Sequence, residues 1–134
     1  MTKREAREFM MTVLYRMDLV GGIDSDRHDE FFQDVQLGTH KKYCEELFSL
    51  ACNKIAEIDA AITRHSQRWS LNRIPKTDLA VLRLAVCEIL FMRRIPDSVA
   101  VNEAVELAHR YGEENSPSYI NGILGSIVRE KNDD

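Results

Sequence analysis

Apolar residues recur along this chain at spacings of three and four, and no segment alternates with period two. The pattern therefore predicts helices and no strand. The most apolar stretch covers residues 78–92, DLAVLRLAVCEILFM. Leu79, Leu82, Val86, Ile89 and Leu90 mark one helical face, and Val81, Leu84, Ala85 and Phe91 fill most of the remainder. A helix that is apolar nearly all round is enclosed by other elements. This one is too short to cross a bilayer, which takes about 20 apolar residues. It is read as the central helix of a helical domain, with its internal Arg83 and Glu88 in structural roles, pairing or satisfying neighbouring backbone.

The other helices follow from the same spacing. Thr2-Lys3-Arg4-Glu5 has the form of a capping box, and Ala6, Phe9, Met10, Val13, Leu14 and Met17 form a stripe that Gly21-Gly22 ends. Over residues 24–37, Phe31, Phe32 and Val35 are expected to anchor a short helix, with Gly38 as its terminating glycine and Thr39 as the next N-cap. One long helix is expected over residues 40–67, with Cys44, Phe48, Ala51, Ile55, Ile58, Ile62 and His65 as a heptad-like seam. Such a seam packs inside a bundle or between two chains. Trp69 is expected to plug the end of the core, and Thr77 or Asp78 to cap the central helix.

Pro96 ends that helix, and Asp97 or Ser98 is expected to cap the next, whose face is Ala100, Val101, Ala104, Val105, Ala108 and Tyr111. Asn102 and Glu103 there are read as a polar pair needing buried partners. Ser116-Pro117 reads as an N-cap followed by proline at the first helical position. Ile120, Ile123, Leu124, Ile127 and Val128 form the last stripe, and residues 129–134 are expected to fray. The fold class is all-α, with residues 1–134 as a single domain.

A formal net charge of −4 argues against promiscuous nucleic-acid binding but leaves room for local patches. Lys3, Arg4, Arg7 and Arg16 outweigh Glu5 and Glu8 at the N-terminus, and residues 64–94 are also basic. Acid gathers at Asp24, Asp26, Asp29, Glu30 and Asp34. Cys44, Cys52 and Cys87 have no metal-ligand spacing, and with no secretory segment at the start a reduced, cytoplasmic chain is the simplest reading. His28, His40, His65 and His109 fall on different segments, and no phosphate-binding glycine loop or nucleophile elbow is present. No catalytic constellation is legible, so a binding protein fits better than an enzyme.

Four blocks resemble the NusB family: Arg4-Glu5-Ala6-Arg7-Glu8 with Leu14-Tyr15; Asp78-Leu79-Ala80-Val81-Leu82-Arg83-Leu84-Ala85 with Glu88; VNEAVELA over 101–108; and YINGIL over 119–124. They occur in the family's order and span nearly the whole chain. The resemblance implies about six to seven helices in two subbundles. It implies a transcription antitermination factor that binds boxA RNA together with NusE, a small-subunit ribosomal protein. With other Nus factors the pair acts on RNA polymerase, notably in ribosomal RNA operons. It implies neither catalysis nor a cofactor.

By position, the resemblance assigns RNA contacts to Lys3, Arg4, Arg7, Tyr119 and Asn121, and NusE contacts to Tyr15 and Asp78. Cations suit phosphates and an aromatic ring suits a stacked base, while an acid at Asp78 suits a basic partner. Gly122 is read as permitting close helix packing. The basic residues of the N-terminus are interleaved with Glu5 and Glu8, where many relatives carry a denser arginine run. That departure motivates the alternative of a module that holds NusE or another partner without binding RNA. A homodimer through the heptad-like seam is a further expectation.

Overall fold

The computed structural model describes residues 1–133, which form seven α-helices joined by short turns and contain no strand. They are α1 (Lys3–Leu19), α2 (His28–Phe32), α3 (Lys41–Asn53), α4 (Ile55–His65), α5 (Lys76–Phe91), α6 (Asp97–Tyr111) and α7 (Ser116–Asn132). Helix α5 lies at the centre and packs against α1, α3, α4, α6 and α7, with α6 also packed on α7 and α1 on α3. Every residue from Asp78 to Ile89 is buried, as the all-round apolar pattern demands.

The capping box at the start of α1 is present: Glu5 N donates to Thr2 Oγ1 at 3.0 Å, and Thr2 N donates to Glu5 Oε1 at 2.7 Å. After α1 the chain turns through Gly21 and Gly22, both left-handed at φ +90° and +87°. The Arg27 guanidinium folds back there and donates to the carbonyls of Met17 and Gly22, closing the end of the helix. Glycine at 21 is favoured by the left-handed backbone; a Cβ there would stand 2.9 Å from Arg27 Nη1, the movable end of a flexible side chain.

Several local expectations are corrected. The long helix expected over 40–67 is two helices, broken at Lys54 (φ −112°, ψ +16°). The break lets α4 swing across α5 towards α7, where His65 meets Ser126 at 2.6 Å and Arg64 meets Glu130 at 2.7 Å. The seam, with Cys44, Phe48, Ala51, Ile58 and Ile62 buried, is thus spent inside the bundle and gives no ground for a homodimer. Phe31 and Phe32 anchor α2, but Val35 is exposed, because the chain reverses at Asp34 (φ +64°).

Caps also differ. Gly38 is left-handed as expected, yet it opens a 3₁₀ turn to His40, and Thr39 does not cap α3. Helices α5 and α6 begin after Pro75 and Pro96 with no side-chain cap, so Thr77, Asp78, Asp97 and Ser98 lie inside their helices. Ser116 likewise lies inside α7 rather than ahead of it. On α6, Leu107 is buried while Tyr111 is exposed. Asn102 is exposed and Glu103 carries the ion pairs described below. The C-terminal segment does not fray: α7 runs to Asn132, and Lys131 Nζ reaches Ile89 O at 2.9 Å and Asp97 Oδ1 at 2.8 Å. Asp134 lies outside the described residues.

The charged residues of α5 do not pair with each other. Glu88 accepts two hydrogen bonds from Arg7, from Nε at 2.9 Å and Nη2 at 3.2 Å, and a third from the Tyr43 hydroxyl. Arg83 makes a two-pronged pair with Asp59, both arms at 2.9 Å, and Asp18 stands 3.3 Å from its Nη1. Removing one partner of a buried pair strands the other in a poorly solvating interior. Arg7→Ala is therefore expected to lower folding stability by about 3–5 kcal/mol, read by urea denaturation, with Arg7→Met/Glu88→Leu recovering much of the loss. A loss below about 1 kcal/mol for the single variant would show the pair to be solvated.

Candidate nucleic-acid and partner interface

The three N-terminal cations have different fates. Lys3 is half-buried, with its ammonium 4.1 Å from the centre of the Tyr43 ring. Arg4 is exposed and pairs with Glu103 at 2.8 Å, a surface contact that an RNA phosphate can replace. Arg7 is only 4% exposed and bound to Glu88, with Glu103 also 3.6 Å away. Burial opposes its charge, but the Glu88 bonds outweigh it and hold the guanidinium pKa above its ordinary value. The phosphate contact expected of Arg7 is therefore corrected: its donors are spent on the core.

Tyr119 and Asn121 are two residues apart on α7, about 200° around the helix, so they do not share a face. The half-buried Tyr119 hydroxyl lies 2.9 Å from Ser66 Oγ, and its ring meets Trp69 edge-on at 4.8 Å. The Arg68 guanidinium covers the Trp69 ring at 4.6 Å. Asn121 and Gly122 are both exposed, and a Cβ on Gly122 would meet nothing within 4 Å, so Gly122 does not serve close helix packing. The Tyr119 edge lies near the start of α5 and the N-terminal cations near its end. Asp78 and Glu88, which mark those ends, are about 15 Å apart along the axis.

Trp69 and Arg68 were not among the RNA-contact residues expected from sequence. The signal available was the basic character of 64–94 around a single tryptophan, which alone suits a core plug equally well. Trp69 is in fact half-buried: it packs against the core without being fully enclosed. An aromatic pair flanked by a guanidinium is a surface on which an unpaired base can stack.

Tyr15 is half-buried on α1 and, with Met11, Thr12, Thr77 and Tyr111, lines a shallow groove of about 250 Å³. Asp78 is not part of it. Its side chain is 3% exposed and accepts a hydrogen bond from Ser116 Oγ at 3.0 Å. The partner contact expected of Asp78 is corrected accordingly, because an enclosed carboxylate cannot meet a basic surface directly. Around this hydroxyl the packing is tight: a Cβ on Gly112 would stand 2.6 Å from Ser116 Cβ and Oγ.

Nucleophile chemistry finds little support. Burial pushes the Cys44 and Cys52 thiols up to about 11 and Cys87 to about 12, so they stay protonated at neutral pH. Among the described residues, no cluster of His, Cys, Asp and Glu could hold a metal ion, and no helix is long and apolar enough to cross a membrane.

Burial raises the Asp78 pKa, the Ser116 bond opposes the rise and Glu113 adds to it. A raised native pKa means the folded state holds the proton longer, so this group's contribution to stability declines as pH rises from the ordinary carboxylate pKa to the native one. Asp78→Asn keeps an acceptor for Ser116 and removes the charge. In urea denaturation the variant is expected to match the wild type in acid and to gain on it as pH rises to neutrality. A difference that does not vary with pH would place Asp78 in a solvated setting.

The NusB family model matches residues 4–129. The transcription antitermination proteins NusB of Thermoanaerobacter sp. (strain X514) and of Finegoldia magna are each 40% identical to this chain, over 131 residues (98% of this chain and 93% of the relative) and 136 residues (98% and 96%) respectively. The fold superposes on T. maritima NusB with a TM-score of 0.86 at 33% identity, covering 97% of this chain and 92% of that one. It superposes on a crystal structure of the antitermination factors NusB and NusE in complex with double-stranded RNA with a TM-score of 0.82 at 27% identity, covering 96% of both chains. The chain belongs to the NusB family.

Proposed function

We propose that this chain is a transcription antitermination factor that binds boxA-type single-stranded RNA together with NusE and acts with other Nus factors on RNA polymerase in the cytoplasm. It acts as one RNA-binding domain, without catalysis or cofactor. The observation that carries this reading is the likeness over nearly the whole chain to a NusB that was crystallised with NusE and RNA. Geometry supports it with two polar surfaces of the right chemistry. One is the Lys3 and Arg4 cations, and the other is the Tyr119–Trp69 edge with Arg68 over it. Asn121 is an exposed amide on the far side of α7 from Tyr119. For NusE, the proposed contact is Tyr15 with its groove.

The second reading, a module that holds NusE without touching RNA, is favoured by one specific observation. Arg7 is fully engaged inside the protein and Arg4 is paired on its surface. Fluorescence anisotropy of a labelled boxA-type RNA decides between the two, with and without NusE, at two salt concentrations and against a scrambled RNA. The expected outcome is specific binding that tightens with NusE and weakens with salt. Absence of specific binding in both conditions would leave only the partner-holding module.

Within the RNA reading, Tyr119→Ala is expected to weaken binding by about tenfold to a hundredfold, the range for losing one base stack. Tyr119→Phe, which keeps the ring and loses only the Ser66 bond, is expected to bind within about threefold of wild type. Equal losses for both variants would point to the hydroxyl and rule out stacking.

A further inference from the structure

We propose that the cleft between the start of α1, the start of α3 and the chain leaving α5 holds a backbone phosphate of the bound single-stranded RNA, with Lys42 and Arg94 as its cationic arms. The inference rests on the RNA-binding reading and adds to it a phosphate site outside the N-terminal cations and the Tyr119 edge. The cleft has a volume of about 340 Å³, and Lys3, Lys42 and Arg94 bring three cations to its wall. The same wall includes His40, and Glu46 is its one carboxylate among the described residues.

The cations are available. Lys42 is exposed and enters none of the ion pairs formed among the described residues. Arg94 is held only by a contact with Glu46 at 3.1 Å, between side chains 75% and 34% exposed. Such a pair yields readily to a more highly charged acceptor. Helix α3 adds the positive end of its dipole, with no acidic residue in its first turn.

The occupant follows from the shape of the charge. Lys3 is shared between the cleft and the N-terminal surface, so a strand that meets Lys3 and Arg4 can continue into the cleft without crossing a gap. The Tyr43 ring on the cleft wall is covered by Lys3, and the remaining apolar seat, Met92 and Ile95, lies among three cations and one carboxylate, so the charge favours an anionic chain over an apolar side chain. A chain of phosphodiesters needs no such seat, because cations and hydrogen-bond donors suffice to place it.

The test uses the full chain and the same labelled RNA, with NusE present, over a series of salt concentrations. Lys42→Ala/Arg94→Ala, both on the surface, is expected to weaken binding about tenfold and to lower the slope of log affinity against log salt by about 0.7, the share of one phosphate on a single strand. Glu46→Gln is expected to tighten binding about threefold, a gain that misfolding cannot mimic. Amide signals of residues 39–43 in NMR are expected to move on RNA addition. Unchanged affinity and slope in the double variant, while the wild type binds, would overturn the cleft site and leave the RNA reading intact. Failure of the wild type to bind RNA at all would remove that reading and this inference with it. Amides that respond to millimolar inorganic phosphate or to an acidic peptide, but not to RNA, would assign the cleft to that ligand and overturn the proposal.

Discussion

A helix buried on every side should not carry charge, yet α5 carries three charged residues in its enclosed stretch: Asp78, Arg83 and Glu88. Withdrawing each from water costs several kcal/mol, offset only where partners and hydrogen bonds are well placed. The partners come from four other helices. Arg7 of α1 and Tyr43 of α3 meet Glu88, Asp59 of α4 and Asp18 of α1 meet Arg83, and Ser116 of α7 meets Asp78. Apolar stripes tolerate sliding by a turn at modest loss, but a two-pronged pair does not. The charges thus set the register of the bundle around α5, and α1, tied at Arg7 and Asp18 to Glu88 and Arg83, is held antiparallel to it.

This constraint decides which cations remain for a ligand. Of the basic residues that give the N-terminus its positive character, Arg7 is enclosed and Arg4 is partly neutralised by Glu103. Arg83, within the basic stretch 64–94, is likewise committed to Asp59 and Asp18. Charge counted along the sequence therefore overstates charge on the surface. Cations outside the core include Lys3, Arg68 over Trp69, and Lys42 and Arg94 at the mouth of the cleft, Arg94 in a surface pair with Glu46.

What could be read from sequence and what could not divide along a physical line. Stripes such as Ile120, Ile123, Leu124 and Ile127 were legible because burial imposes a period that repeats locally. The capping box at Thr2 and Glu5 was legible because its partners are three residues apart. The break at Lys54 was not, because the apolar seam continues through it and no Gly or Pro marks the position. Nor were the fates of Arg7 and Asp78, whose partners lie 81 and 38 residues away. A charged side chain in an amphipathic helix reads as surface until the opposite charge is found, and no local pattern finds it. The family resemblance located the regions of the candidate site but could not say which side chain in each region faces outward.

The exposed chemistry also bears on why a partner matters in the RNA-binding reading. Affinity for a polyanion scales with the phosphates neutralised, and each cation spent internally subtracts from that number. A chain with net charge −4, with Arg7 and Arg83 spent in the core and Arg4 and Arg94 paired at the surface, has less of this electrostatic attraction than its count of basic residues suggests. Two routes restore affinity: base stacking, which salt does not screen, and a second protein that supplies its own cations and fixes the strand across the gap. The rigid α5 suits the second route. Its ends present separate surfaces at a distance set by backbone hydrogen bonds and buried ion pairs, so under the proposed reading a partner at the Tyr15 groove would meet the RNA with both surfaces already in position. Order built into the core thereby reduces the entropy lost when three components assemble.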